Sequence, residues 1–186
     1  MTAGAPFPQQ HAAVRRLVPA DAPTYRALML EAYEQHPDAF TSSLAERAAM
    51  PLSFWESRLA AGSTPRELVV GAFRDRFLAG AVGMAFESRE KARHKATLFG
   101  MLVLPRFRKG RLGRALVEAA LAAARARPGV KIVQLTVTEG NDAARRLYER
   151  FGFVAFGVEP YAVAVRGGYV SKVHMWCDLD AAPDRA

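Results

Sequence analysis

The chain has 186 residues, 51% of them hydrophobic, and 26 Lys and Arg against 18 Asp and Glu give a net charge of +8. That size suits one compact domain with a sizeable core, and no Gly/Ser/Pro-rich linker divides it. The single cysteine, Cys177, excludes an internal disulfide framework and any multi-cysteine zinc site, while the basic excess favours polyanions without choosing among nucleic acid, acidic protein and a polyphosphate cofactor.

Residues 1–12, carrying Pro, Gln and Ala, read as a loose arm without the charged head and apolar middle of a secretory signal. Residues 181–186 read as a frayed tail, which leaves 13–180 as the domain. No stretch is long and apolar enough to span a bilayer, so the expectation is a cytoplasmic protein without a membrane partner.

Residues 14–18 form a short strand candidate. Asp21 then signals a helix start, with Pro23 in the first turn and Leu28, Leu30, Ala32 and Tyr33 supporting a helix to about His36. Residues 38–50 are ambiguous and partly helical. Ser53 is positioned to cap a second helix through Phe54, Trp55 and Leu59, closed by Gly62. Residues 67–74, 77–87 and 95–104 are β-like runs separated by charged turns. From Leu112 the period becomes helical, with Leu112, Leu116, Ala119, Ala120 and Ala123 on one face, until Pro128-Gly129. A strand at 131–138, a helix at 141–151 closed by Gly152, and strands at 154–165 and 169–179 complete the chain. The strand–helix–strand segment 95–138 implies one parallel pair inside an otherwise antiparallel sheet. The expected fold class is mixed α/β, with seven strands flanked by helices.

The segment between the fourth strand and the long helix reads PRFRKGRLGR, five cations in ten residues. A loop that opens directly into a helix offers unpaired backbone N–H groups and the positive end of the helix dipole, which suits a compact dianion. Gly110 and Gly113 let the backbone come close or turn left-handed. Arg108, Lys109, Arg111 and Arg114 supply charge to neutralise phosphates. The same run also reads as a solvated basic turn, but it occupies the loop where helix geometry already favours an anion.

The run Val103-x-Pro105-x-x-Arg108-x-x-x-x-Gly113-x-x-Leu116 resembles the acetyl-CoA loop of the GNAT superfamily of N-acetyltransferases. Asn141-x-x-Ala144-x-x-Leu147-Tyr148-x-x-x-Gly152-Phe153 resembles that superfamily's second signature. The likeness covers nearly the whole chain and implies a GNAT-like fold with its parallel pair at the cofactor loop. It also implies acetyl-CoA as acyl donor, no metal, and transfer to a primary amine of a small molecule or protein by direct attack on the thioester.

By position, the resemblance assigns the pantetheine arm to the backbone of Met101, Leu102 and Val103. It assigns the pyrophosphate to the loop of Arg108, Lys109, Gly110, Arg111, Leu112, Gly113 and Arg114, with Asn141, Ala144 and Tyr148 touching the cofactor from the second signature. One residue departs from the pattern: Arg111 stands where the family places a glycine. Either Gly110 takes over the tight turn, or cofactor affinity drops, or Arg111 itself clasps a phosphate.

Tyr148 is the expected catalytic residue. A phenol with a pKa near ~10 can donate a proton to the departing CoA thiolate; the same tyrosine could also simply pack against Leu147 and Phe151. Asn141 is a good helix N-cap in its own right. The general base is not evident, because the position of the family's glutamate falls on Thr136. Glu87, His94 and a water chain are the alternatives.

The acceptor site is expected from the helices of residues 21–62 and the last hairpin. There Glu31, Glu34, Asp38, Glu46 and Glu56 read either as amine-binding acids or as polar helix faces. Phe40, Phe54 and Trp55 read as packing or pocket residues, and the last two strands carry no assigned chemistry. A homodimer would be in keeping with the family. A nucleic-acid-binding module and a GNAT fold that binds CoA without catalysis are the competing readings. No helix-turn-helix, zinc-finger or RRM signature supports the first.

Overall fold

Alternating apolar and polar runs place seven strands in one sheet. They are β1 (Ala12–Arg16), β2 (Glu67–Arg74), β3 (Phe77–Phe86), β4 (Lys95–Val103), β5 (Ile132–Thr138), β6 (Val154–Val165) and β7 (Gly168–Asp178), in the spatial order β1-β2-β3-β4-β5-β7-β6. Every neighbouring pair is antiparallel except β4 with β5. This computed structural model describes residues 12–62, 64–108 and 110–181. The expected arm and tail, apart from Ala12 and Ala181, lie outside the described residues, as does Lys109; Ala12 itself begins β1.

Among the described residues five α-helices cover the two faces: α1 (Ala22–Gln35), α2 (Leu44–Ala48), α3 (Leu52–Arg58), α4 (Leu112–Arg125) and α5 (Asp142–Glu149). The buried face of α4 is Leu112, Leu116, Val117, Ala120, Leu121 and Ala124, at the three- and four-residue spacing of a helix stripe. It packs with α5 and the sheet into one core. Each fully buried Leu or Val contributes roughly 1.5–3 kcal/mol there. On the other side α1 and α3 join Leu17, Val69, Leu78 and Ala81 in a second core.

Local chemistry explains two boundaries that differ from expectation. Ser43 Oγ accepts from the Glu46 N–H at 3.2 Å while Glu46 Oε2 accepts from the Ser43 N–H at 2.7 Å, and this reciprocal cap starts α2 inside the ambiguous stretch. Ser53 does not cap α3. That helix starts at Leu52 with Pro51 in the cap position, and Leu59 rather than Gly62 ends it.

One irregularity positions the site. β4 pairs with β5 only through Lys95, Ala96 and Thr97, opposite Ile132, Val133 and Gln134. Beyond Thr97 the two strands part. β4 carries a bulge against β3, where the register shifts between Ala81 and Gly83, and Gly100 sits there at φ 58°. A bulge bends and twists its strand, and a left-handed residue at this point suits glycine. Gly83 lets the bulge form, because a Cβ there would lie 2.2 Å from Phe99 Cζ. β5 meanwhile stays paired along its whole length with β7.

Candidate active site

The parting of β4 from β5 opens a cleft of about 310 Å³ through the sheet. Thr97 to Met101 form one wall and Thr136, Val137 and Thr138 the other. Asn141, the cap of α5, with Ala144 and Tyr148 of that helix closes one side, while Tyr25, Met29 and Tyr33 of α1, Arg47 of α2, and Trp55 and Arg58 of α3 close the opposite side. Past Thr97, the edge of β4 that faces β5 has no strand to pair with. Such an edge presents backbone N–H and C=O groups to whatever enters, so an amide-bearing chain can pair with it as a strand would.

The basic loop lies at the end of that same strand. Its helix, α4, has no side chain capping its N-terminus, and its N-cap residue Arg111 sits in the left-handed region at φ 58°, ψ 9°. The turn that glycine would make is therefore made by arginine, at a cost of about 1 kcal/mol. The left-handed turn is thus made at Arg111, one residue after Gly110. Gly110 lies against the Arg74 guanidinium, 2.0 Å from where a Cβ would stand. Gly113 lets the first turn of α4 come close to both Leu147 and Met101, each 3.4 Å from the position of a Cβ. The two sequence signatures thus meet at Gly113.

The described cations of this loop divide into two groups. Arg106 pairs with Glu31 of α1. Arg108 Nε donates to the Val103 carbonyl at 3.2 Å, and its Nη2 stands 3.0 Å from His36 Nε2. Both are therefore turned toward α1 and the end of β4. The Arg111 and Arg114 side chains are exposed at the start of α4. An uncapped helix N-terminus with two exposed guanidinium groups fits a pyrophosphate.

Of the other expected site residues, Met101, Asn141, Ala144 and Tyr148 line the cleft, whereas Leu102, Val103 and Leu112 do not. Leu102 and Val103 pair with Ala81 and Gly80 of β3, and Leu112 is a core residue at 2% exposure. Asn141 Oδ1 accepts from the Ala144 N–H at 3.2 Å, so it does cap α5. Tyr148 is 5% exposed and packs on Phe153, ring centroids 5.7 Å apart, while bordering the cleft. Burial pushes its phenol pKa well above the usual value.

No candidate base from the sequence reaches this cleft. Glu87 pairs with Arg89 in the turn after β3, and the His94 carbonyl receives the Lys131 and Ile132 N–H groups. Both residues flank the start of β4, the end remote from the loop. Among the described residues the cleft lining holds no Asp, Glu or His. Glu31, Glu34, Asp38, Glu46 and Glu56 all lie outside it, as does Phe54, while Phe40 and Trp55 line it.

Residues 25–153 match the model of the acetyltransferase (GNAT) family. The chain belongs to that family. Solved structures agree on the fold. An acetyltransferase of the GNAT family from Streptococcus pneumoniae superposes with a TM-score of 0.77 at 24% identity, covering 90% of this chain and 99% of that one. A putative acetyltransferase from Salmonella typhimurium, solved with its cofactor acetyl-CoA, gives 0.75 at 21% identity over 95% and 99%. A ribosomal-protein-alanine N-acetyltransferase from Brucella melitensis gives 0.72 at 23% over 89% and 99%. A comparison with curated proteins gives no significant match.

Three cleft residues of this GNAT acetyltransferase escape a reading of its sequence: Arg47, Arg58 and Lys172. Trp55 and Arg58 lie three apart on α3 and so share a face, which is the one signal available. Lys172 sits on β7, to which sequence reading assigns no chemistry. Among the described residues, no helix is long and apolar enough to cross a membrane.

Proposed function

We propose that the enzyme transfers the acetyl group of acetyl-CoA to a primary amine by direct attack, with Tyr148 as the general acid. The observation that carries this reading is the cleft itself. It brings the unpaired edge of β4 together with the Tyr148 phenol, and the uncapped start of α4 follows the same strand.

Acetyl-CoA would supply an acyl group already activated as a thioester. The pyrophosphate falls to the first turn of α4 with Arg111 and Arg114, and the pantetheine amides to the β4 edge at Met101. Entry is from the α4–α5 face, so the amine comes from the α1–α3 face and the two meet in the gap. Tyr148, kept protonated by burial, gives its proton to the thiolate that leaves. With no carboxylate or imidazole in the lining, the amine sheds its proton to water in the cleft. The cationic side chains there favour the neutral, nucleophilic amine over the ammonium ion.

The test is a calorimetric titration of the purified chain with acetyl-CoA at two salt concentrations, followed by a thiol-release assay on an amine panel. A one-to-one complex with turnover of at least one amine is expected. A folded sample that gives no heat at either salt would overturn the reading.

A further inference from the structure

The wall of the cleft formed by α1, α2, α3 and β7 has an unusual charge. It carries Arg47, Arg58 and Lys172, and among the described residues no carboxylate lines it. Arg58 has an ion-pair partner in Glu67, but through Nη2 at 3.2 Å. Arg47 donates Nη2 to Ser42 Oγ at 2.8 Å. The Nε atoms of both arginines are buried without a hydrogen-bond partner, and so is Nε1 of Trp55, a residue only 2% exposed.

Three unmatched donors on residues that share one cleft wall are an anomaly, since buried N–H groups are nearly always paired. The neighbouring contacts fix their positions. Arg58 lies over the Phe99 ring at 4.7 Å, Arg47 over Phe54 at 5.3 Å, and Trp55 stands edge-on to Tyr25 at 5.6 Å. Lys172 is oriented by Thr41 Oγ1 at 2.5 Å.

From this arrangement we propose that the acceptor is a small primary amine that also carries a carboxylate, and that Arg47, Arg58 and Lys172 hold that carboxylate. The inference rests on the acyl-transfer reading above. A carboxylate brings only acceptors, about four lone-pair sites, which suits the guanidinium and ammonium donors of Arg47, Arg58 and Lys172. A diamine or polyamine would bring further positive charge to a wall already positive. The cleft volume is at the small end of ligand sites, which suits a small molecule of amino-acid type rather than a protein chain.

The test uses the full chain in a thiol-release assay with matched pairs: phenylalanine and phenethylamine, leucine and isoamylamine, histidine and histamine. The amino acid of a pair is expected to show a kcat/KM about ten- to hundredfold higher, the range of one charge-assisted hydrogen bond. Arg47→Gln and Lys172→Met should raise KM for the amino acids far more than for the amines, with acetyl-CoA affinity measured by calorimetry unchanged. Arg58 is left in place because its stacking and ion pair also support the fold.

Equal or better turnover of the decarboxylated amines would overturn the proposal, as would a KM rise in the variants shared equally by both members of a pair. If no compound is acetylated, thermal shift decides: amino acids that raise Tm while their amines do not would sustain it, and no shift would end it. Acetyl-CoA binding in the same samples separates the two readings. Binding with a preference for plain amines sinks this inference alone, whereas absent binding sinks both.

Discussion

Arg106, in the loop that follows β4, and Glu31, in the middle of α1, form a two-pronged ion pair that ties the basic loop to the helix roofing the other side of the cleft. The Arg106 guanidinium is the main reason the Glu31 carboxyl sits below the usual carboxylate range. Because the folded pKa is lowered, the pair stabilises the protein above the unfolded carboxylate value, near ~4.3. That contribution fades as pH falls through the folded value. The Arg106 side chain is 56% exposed and that of Glu31 29%, so solvent screens the pair to less than about 1 kcal/mol. Glu31→Gln should therefore lower stability by a few tenths of a kcal/mol at pH 7. Urea unfolding at pH 7 and again near pH 3 checks this, and the gap between wild type and variant should close at the lower pH.

Arg111 yields a second prediction, in which stability and binding separate. Arg111→Gly removes about 1 kcal/mol of left-handed strain. It also frees the unfolded chain by a comparable amount. Tm should therefore stay within a few degrees of the parent. Affinity for acetyl-CoA should fall several-fold and become less sensitive to salt, because one guanidinium is lost from the phosphate end. Calorimetry at two ionic strengths reads both effects. Tighter binding by the glycine variant would mean that the side chain obstructs the phosphates instead of clasping them.

These residues also mark how far the sequence was legible. The seven strands and the parallel pair follow from periodicity and spacing, with α4, β5 and α5 ending shortly before Gly129, Gly140 and Gly152, whereas the two signatures were legible only through their resemblance to a known family. The conformation of Arg111 could not be read, because a non-glycine left-handed residue leaves no local mark and the competing Gly110 was the better formal candidate. The cleft wall opposite α5 draws on the helices of residues 21–62 and the last hairpin, the elements expected to build the acceptor site, but its cationic residues were not legible. Arg47, Trp55, Arg58 and Lys172 come from two short helices and a distant strand, and only the parting of β4 from β5 brings them to one cleft. That parting depends in turn on Gly83 and Gly100, whose pattern in sequence is merely that of small residues in strands.

For Tyr148 the expectation concerns both rate and pH. Tyr148→Phe keeps the ring that packs on Phe153 and removes only the hydroxyl. It should lower kcat by about a hundredfold or more, as for other positioned general acids, with acetyl-CoA affinity and Tm near the parent values. Burial holds the phenol above its usual pKa. The parent should therefore show kcat/KM rising with pH as the amine loses its proton, with no falling limb from Tyr148 below about pH 10. A falling limb at pH 8–9 that disappears in the phenylalanine variant would contradict the environment described for this residue.

Gly83 tests the link between the bulge and the acceptor wall. A methyl group there would meet three atoms of the Phe99 ring at 2.2, 2.3 and 2.7 Å. The ring cannot swing away freely, because the Arg58 guanidinium covers it at 4.7 Å. Gly83→Ala should cost about 1–3 kcal/mol, the usual penalty of overpacking, read as a lower urea midpoint with an unchanged slope. Phe99 of the β4 wall and the Arg58 stacked on it both line the cleft, so on the proposed reading KM for the amine should rise. The start of α4 should stay in place, and acetyl-CoA affinity with it. A variant that loses cofactor affinity while the amine KM stays constant would show that the bulge serves the pantetheine edge of β4 and leaves the acceptor wall independent of it.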